Sequence, residues 1–272
     1  MRGVCIISDP ADPRLEPYRA VRERDLVGRQ GKFIAEGVVV VRQLLRHPLY
    51  NAESVLLAER HLGLAEDFEH LAPNVPIYLA PQSVFDAIAG FPVHRGVLAI
   101  GRRGESQSPV ALIGSIPRDQ PALLAIGIGI ANHDNLGAIL RNSAAFGCDA
   151  ALFDQTCGDP LYRKSIRVSA GAALSLAHAR GDDAQAILDA LQAVDFAVWA
   201  LSPTGKARLD DLAAPPRLAI LVGAEGQGLD PKLLSQTQSV RIPMRPGFDS
   251  INVATALAIA LAAASRKSGC VE

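Results

Sequence analysis

The sequence predicts an α/β protein built on a mostly parallel sheet, preceded by a smaller α/β unit. Three observations carry that expectation. Aliphatic runs at 122–130, 150–153, 196–201 and 218–222 are continuous rather than alternating, as in strands buried on both faces. Stretches with helical spacing, such as 135–146 and 184–193, lie between them. Of the 272 residues, 49% are hydrophobic but only 5% aromatic, an aliphatic balance suited to that architecture.

The elements follow in order. Residues 19–25 read as helical and 31–36 as a short strand. Residues 37–47 form a helix with Val38, Val41, Leu44 and Leu45 on one face, stopped by Pro48. Strands follow at 54–58 and 75–79, then a short helix at 83–89 with Ser83 as its N-cap, then a strand at 97–100. Residues 104–120 mix Gly, Ser, Pro and charge with little periodicity and read as a linker. Domains are therefore expected at 1–103 and 121–272. The second starts with the strand at 122–130 and a helix at 135–146 capped by Asn135. Then come a strand at 150–153, helices at 165–177 and 184–193, and strands at 196–201 and 218–222. A short helix at 231–235, a strand at 240–243 and a terminal helix at 252–265 complete it.

Charge and cysteines exclude several classes. The net charge is −1, so any polyanionic partner needs a local basic cluster. Residues 14–46 supply one: Arg14, Arg19, Arg22, Arg24, Arg29, Lys32, Arg42 and Arg46 outnumber Glu16, Glu23, Asp25 and Glu36. A solvated helix face is the other reading. Cys5, Cys148, Cys157 and Cys270 have no C-x-x-C spacing, so no metal site and no disulfide framework is expected. The N-terminus lacks a charged-then-apolar signal pattern. The longest apolar stretch, 253–264, is shorter than the roughly 20 residues a membrane span needs. A cytoplasmic protein away from membranes is expected.

Three segments sit at strand ends, where open α/β sheets bind ligands. The first is Asn135-Leu136-Gly137-Ala138-Ile139-Leu140-Arg141-Asn142. Arg141, nearly two helical turns past Asn135, reads equally as a solvated helix residue. The second is Val222-Gly223-Ala224-Glu225-Gly226-Gln227-Gly228, whose glycines let backbone approach a ligand. It is no Walker loop, and the dinucleotide spacing fails because Gly127-Ile128-Gly129 is followed by Asn132. The third is Ile242-Pro243-Met244-Arg245-Pro246-Gly247-Phe248-Asp249-Ser250-Ile251-Asn252-Val253, where Ser250 and Asn252 also read as helix caps. Arg163, Lys164 and Arg167 share helical spacing and fit either RNA phosphates or a solvated face.

In this order the three segments resemble the SpoU (TrmH-like) RNA ribose 2′-O-methyltransferases of the SPOUT superfamily, over residues 122–266. The family pattern is N-x-G-A-x-x-R, then V-G-x-E-G-x-G, then I-P-M followed by S-x-N-V. The first hundred residues more loosely resemble a ribosomal-protein-L30e-like substrate-binding domain, through Phe33-Ile34-Ala35-Glu36-Gly37 and His94-Arg95-Gly96-Val97. One departure stands before Asn135, where many members carry Asp-Pro and this chain has Asn132-His133-Asp134.

The resemblance implies a C-terminal trefoil knot and S-adenosyl-L-methionine as cofactor. It places Leu201, Gly223, Gly228, Ile242, Met244, Ile251 and Val253 around that cofactor. Asn135, Arg141, Glu225, Ser250 and Asn252 are implied as catalytic, while basic clustering and helical spacing, not the resemblance, offer Arg22, Arg24, Lys32, Arg163, Lys164 and Arg167 as RNA contacts. A structured RNA substrate, ribosomal RNA before transfer RNA, and a homodimer lending Arg141 across subunits complete the expectation. A base methyltransferase and a catalytically silent RNA-binding protein of the same fold are the alternatives. A nucleotide-dependent oxidoreductase is disfavoured by the failed glycine spacing.

Overall fold

The computed structural model describes residues 4–19, 30–48, 50–88 and 96–268, with the side chains of the last helix described to Ser265. The chain divides into two compact units: Met1–Glu105 with Leu161–Ser175, and Ser106–Pro160 with Leu176–Glu272. Arg22, Arg24 and Arg29, most of the helix expected at 19–25, His94, Arg95 and Cys270 lie outside the described residues.

The first unit carries β1 (Val4–Ile6), β2 (Lys32–Glu36), β3 (Asn51–Ala58), β4 (Ile77–Ala80) and β5 (Val97–Arg102) in the order β1-β4-β3-β5-β2. β4 runs parallel to β1 and β3, while β5 is antiparallel to β2 and β3. The helix Val38–Arg46 buries Val40, Val41, Leu44 and Leu45. Val38 is only half-buried, so the apolar face is turned slightly from the expected one. The helix Gln82–Ile88 starts before Ser83, which therefore sits in its first turn and is not its cap. A 3-10 turn at Glu59–Leu64 and a helix at Ala65–Leu71 escaped the sequence reading, because their charged, Gly-containing stretch shows little apolar period.

The helix expected at 165–177 is two short helices, Arg163–Val168 and Ala172–Ser175. The break has a local cause. Ala170 and Gly171 have φ of 52° and 90°, conformations an α-helix cannot contain. A side chain at Gly171 would displace the Gln43 amide, and the φ of 90° there favours glycine. Arg163 donates to the buried Glu36 carboxylate at 2.9 Å, which anchors this segment on β2.

The second unit is built on seven parallel strands. They are β6 (Ala122–Gly127), β7 (Ala150–Phe153), β8 (His178–Arg180), β9 (Ala197–Leu201), β10 (Ala207–Arg208), β11 (Arg217–Val222) and β12 (Gln238–Arg241). Their order is β10-β12-β9-β11-β6-β7-β8, and every pairing is parallel. β11 is buried along its whole length, as a central strand covered on both faces must be. Ile113, Ile187, Leu188 and Leu191 from helices close one core with Leu124, Ile126, Ala219 and Leu221. The helices His133–Ala145 and Val253–Ser268 pack on each other, and the second also packs on β11.

Residues 104–120 hold a helix, Pro109–Ser115, where a plain linker was expected. Ser108 caps it by accepting from Ala111 N–H, and Pro109 fills its first position. That Ser-Pro pair is a start signal the low periodicity obscured. The same stretch ends on Arg217, which donates to the carbonyls of Pro117 (2.6 Å) and Gln120 (3.0 Å) and stacks over Phe196 at 4.2 Å. Among the described residues, no helix is long and apolar enough to cross a membrane.

Candidate active site

The site begins where β6 and β11 end side by side, with Val222 paired to Gly127. Past β11 the chain turns at Gly223. A Cβ there would lie 2.5 Å from the carbonyl carbon of Gly228, so the loop can close only with glycine. Gly228 N–H donates to Ala224 O at 3.0 Å, and Gly226 and Gly228 take φ of 84° and 67°. The result is a narrow loop whose three glycines bring backbone close to the space it borders.

That loop floors a cleft of about 660 Å³ at the carboxyl ends of β9, β11 and β12. Its lining contains all seven residues expected around the cofactor: Leu201, Gly223, Gly228, Ile242, Met244, Ile251 and Val253. Glu225, Ser250 and Asn252 line it as well. Ser202 and Thr204, whose hydroxyls lie 3.2 Å apart, also border it and were not expected. A signal for them existed: the Ser-Pro-Thr turn follows the last residue of a parallel strand.

The three motifs converge through side chains. Asn135 Nδ2 donates to Glu225 Oε1 at 2.5 Å, and Asn252 Nδ2 donates to Asn135 Oδ1 at 2.8 Å. Asn142 ties the same corner by donating to Ala254 O at 2.9 Å. Asn135 is free for this because it does not cap its helix. Asn132 does, accepting from Asp134 N–H at 2.8 Å. The expected cap at Asn135 is thus corrected, and the sequence departure at 132–134 supplies the real one. The terminal helix is capped by Asn252, whose Oδ1 accepts from Ala254 and Thr255 N–H, so the capping reading holds for Asn252 and not for Ser250. Ser250 is exposed on the cleft wall and makes no hydrogen bond among the described residues.

Arg141 stands apart. It is exposed on the helix His133–Ala145, is absent from the lining of its own chain's cleft, and makes no ion pair among the described residues. The expected RNA contacts divide. Lys32 is held by Glu53 at 2.8 Å and Arg163 by Glu36, so both cations serve the fold of the first unit. Lys164 and Arg167 are exposed. Arg22 and Arg24 lie outside the described residues.

A parallel sheet with a glycine-floored cleft at its carboxyl ends, rimmed by an amide–carboxylate chain, places a small-molecule pocket where open α/β sheets bind their ligands. Residues 123–262 match the SpoU rRNA Methylase family model. An uncharacterised tRNA/rRNA methyltransferase of Mycobacterium bovis is 37% identical over 269 residues, covering 96% of this chain and 90% of that one. The AdoMet-bound rRNA methyltransferase structure from Sinorhizobium meliloti superposes with a TM-score of 0.84 at 19% identity, covering 97% of this chain and 98% of that one. A structure concerned with the 2-OH methylation of C/U34 on tRNA reaches a TM-score of 0.51 at 25% identity, over 56% of this chain and 99% of that one. The chain belongs to the SpoU methylase family of the SPOUT superfamily and is an S-adenosylmethionine-dependent tRNA/rRNA methyltransferase.

The residues present fit that cofactor. The glycine floor brings backbone donors to the cleft, and Leu201, Ile242, Met244 and Ile251 give apolar walls for an adenine ring.

Proposed function

We propose that this protein methylates a ribose 2′-hydroxyl of ribosomal RNA, as a homodimer in which Arg141 reaches the cleft of the opposite chain. The convergence of Asn135, Glu225 and Asn252 on one rim of the cleft carries the reading. The exposure of Arg141 away from its own cleft supports the shared site. Knotting of the 223–228 and 242–252 loops, implied by the family likeness, belongs to the same proposal.

When bound, S-adenosylmethionine supplies a sulfonium methyl carbon that a nucleophilic oxygen can attack, the O–C bond forming as the C–S electron pair leaves with sulfur and the hydroxyl proton passes to water. The chain's residues align and stabilise. The Arg141 guanidinium offers a planar fork of N–H donors, so it acts by orienting the ribose and its phosphate and by stabilising the charge that develops on the oxygen. Asn135 and Asn252 hold the rim, and Ser250 offers a hydroxyl beside it. Glu225 anchors the chain of amides from the cofactor loop.

The test is direct. Tritium from labelled cofactor is followed into total RNA, which is then digested to nucleosides. Label on 2′-O-methylribose of ribosomal RNA is expected, whereas label on a base overturns the ribose chemistry. Transfer RNA is the second reading, favoured by the 25%-identical structure concerned with tRNA, and fractionating the labelled RNA separates the two.

A further inference from the structure

The turn between β6 and the helix His133–Ala145 is held by a buried carboxylate that the proposed reaction does not use. Asp154, 4% exposed, stands just past β7. Its Oδ1 accepts from Gly129 N–H (2.9 Å) and from the Cys157 thiol (3.0 Å), and its Oδ2 accepts from the Thr156 hydroxyl (2.6 Å). Cys157 Sγ accepts in turn from Ile130 N–H at 3.1 Å, and Gly158 N–H donates to Ile130 O at 2.9 Å. The backbone of Gly129 and Ile130 is therefore fastened to the 154–158 loop at three points.

On its other side the turn meets the cofactor loop. Gly129 has φ of +70°, and a Cβ built on it would lie 3.1 Å from the Cβ of Ala224. Ala224 accepts the bond that closes the glycine loop, and the next residue, Glu225, holds Asn135. The 128–130 turn thus lies beside Ala224, in the loop that floors the cleft, one residue before the Glu225 that holds its rim. The clamp ties three donors from two stretches of chain to the two oxygens of one carboxyl group. Removing the carboxylate leaves the Gly129 N–H without its acceptor, and the turn must shift to find another.

We propose that Asp154 and Cys157 are positioning residues for cofactor binding, which set the 128–130 turn as the support on which the 223–228 loop rests. The proposal rests on S-adenosylmethionine occupying the cleft.

The experiment titrates S-adenosylmethionine into the full-length chain by calorimetry, with thermal melts of every variant. Asp154→Ala is expected to raise Kd about tenfold while the melt stays cooperative. Asp154→Asn, which keeps an acceptor for Gly129, is expected to raise it about threefold. A merely structural role would not couple Asp154 to Ala224. Ala224→Gly removes the methyl that meets Gly129, so Asp154→Ala added to it should cost at least about threefold less in Kd than in the wild type. Should Asp154→Ala not fold, the pair Thr156→Val and Cys157→Ser carries the same cycle. A Kd for Asp154→Ala within about twofold of wild type, or strict additivity in the cycle, overturns the proposal. A wild-type chain that takes up no S-adenosylmethionine overturns the cofactor reading, and the clamp with it.

Discussion

Asn252 and Asn135, 117 positions apart, share a hydrogen bond of 2.8 Å that joins the third motif to the first. The same Asn252 side chain caps the terminal helix through its oxygen. The two jobs use opposite ends of one amide, so they can be separated. Asn252→Asp keeps an oxygen for the cap and adds a charge that a helix N-terminus favours. It loses the N–H that Asn135 accepts, and Asn135 then lies between two carboxylates with no orientation that satisfies both. Stability should stay within about 0.5 kcal/mol of wild type while methyl transfer falls by about tenfold or more. Asn252→Ala should lose both, with a stability cost of about 1 kcal/mol. Chemical denaturation and single-turnover labelling check the pair, and full activity in the Asp variant would remove the bond from the mechanism.

The exposed cations make a second prediction. Each phosphate contact on a single strand contributes roughly 0.7 to the slope of log K against log salt. Replacing Lys164 and Arg167 together by alanine should lower the slope for RNA binding by roughly 1.4. Lys32→Ala should leave it unchanged, because its ammonium is held by Glu53. Filter binding at several salt concentrations reads both. An unaltered slope in the double variant would assign those cations to a solvated face.

Much of this was legible beforehand, and the failures have physical reasons. The helices Ala184–Ala193 and Pro231–Ser235 lie where their spacing put them, since both start at a capping Asp and follow one apolar face. The cleft lining was legible only through the likeness of the three motifs to the family pattern, while the glycine after β11 could be read directly, because a Cβ at Gly223 would run into the Gly228 backbone. The break at Ala170 was hidden, since nothing in its own side chain demands a positive φ. The pairing of Lys32 and Arg163 was hidden too. Their partners, Glu53 and Glu36, are 21 and 127 positions away, and only the folded register brings each pair together.

Two buried thiols make stability fall in alkali. Burial above all, and for Cys157 its bond to Asp154 as well, raises Cys148 and Cys157 from 9.0 to about 12. Between those values the unfolded chain has lost the thiol protons that the folded chain keeps, so raising the pH favours unfolding. Stability is full below about pH 9 and is lost as pH rises toward about 12. The slope should reach roughly 1.4 kcal/mol per pH unit for each thiol. Urea unfolding at pH 8, 9 and 10 measures it, and Cys148→Ala should halve the slope. At pH 8, iodoacetamide should leave both thiols unlabelled in the native chain, and rapid labelling would contradict their burial.

Arg141 supplies the last prediction, and it separates chemistry from assembly. Arg141→Lys keeps the charge and loses the planar fork that can hold a ribose and its phosphate together. Cofactor affinity should be unchanged, because the proposal assigns Arg141 to the ribose and its phosphate and not to the cofactor, while turnover should fall by about a hundredfold. If Arg141 acts across the dimer, a chain carrying Arg141→Ala and one carrying Asn252→Asp are each strongly impaired as homodimers, the second by about tenfold or more. Refolded together, they should regain activity, since each mixed dimer holds one cleft with an intact Asn252 facing an intact Arg141 from the other chain. Statistical mixing makes half of the dimers mixed, each with one working cleft of two, so about a quarter of wild-type activity should return. No recovery in dimers shown by mass to be mixed would place Arg141 beside the cleft of its own chain and end the shared-site reading.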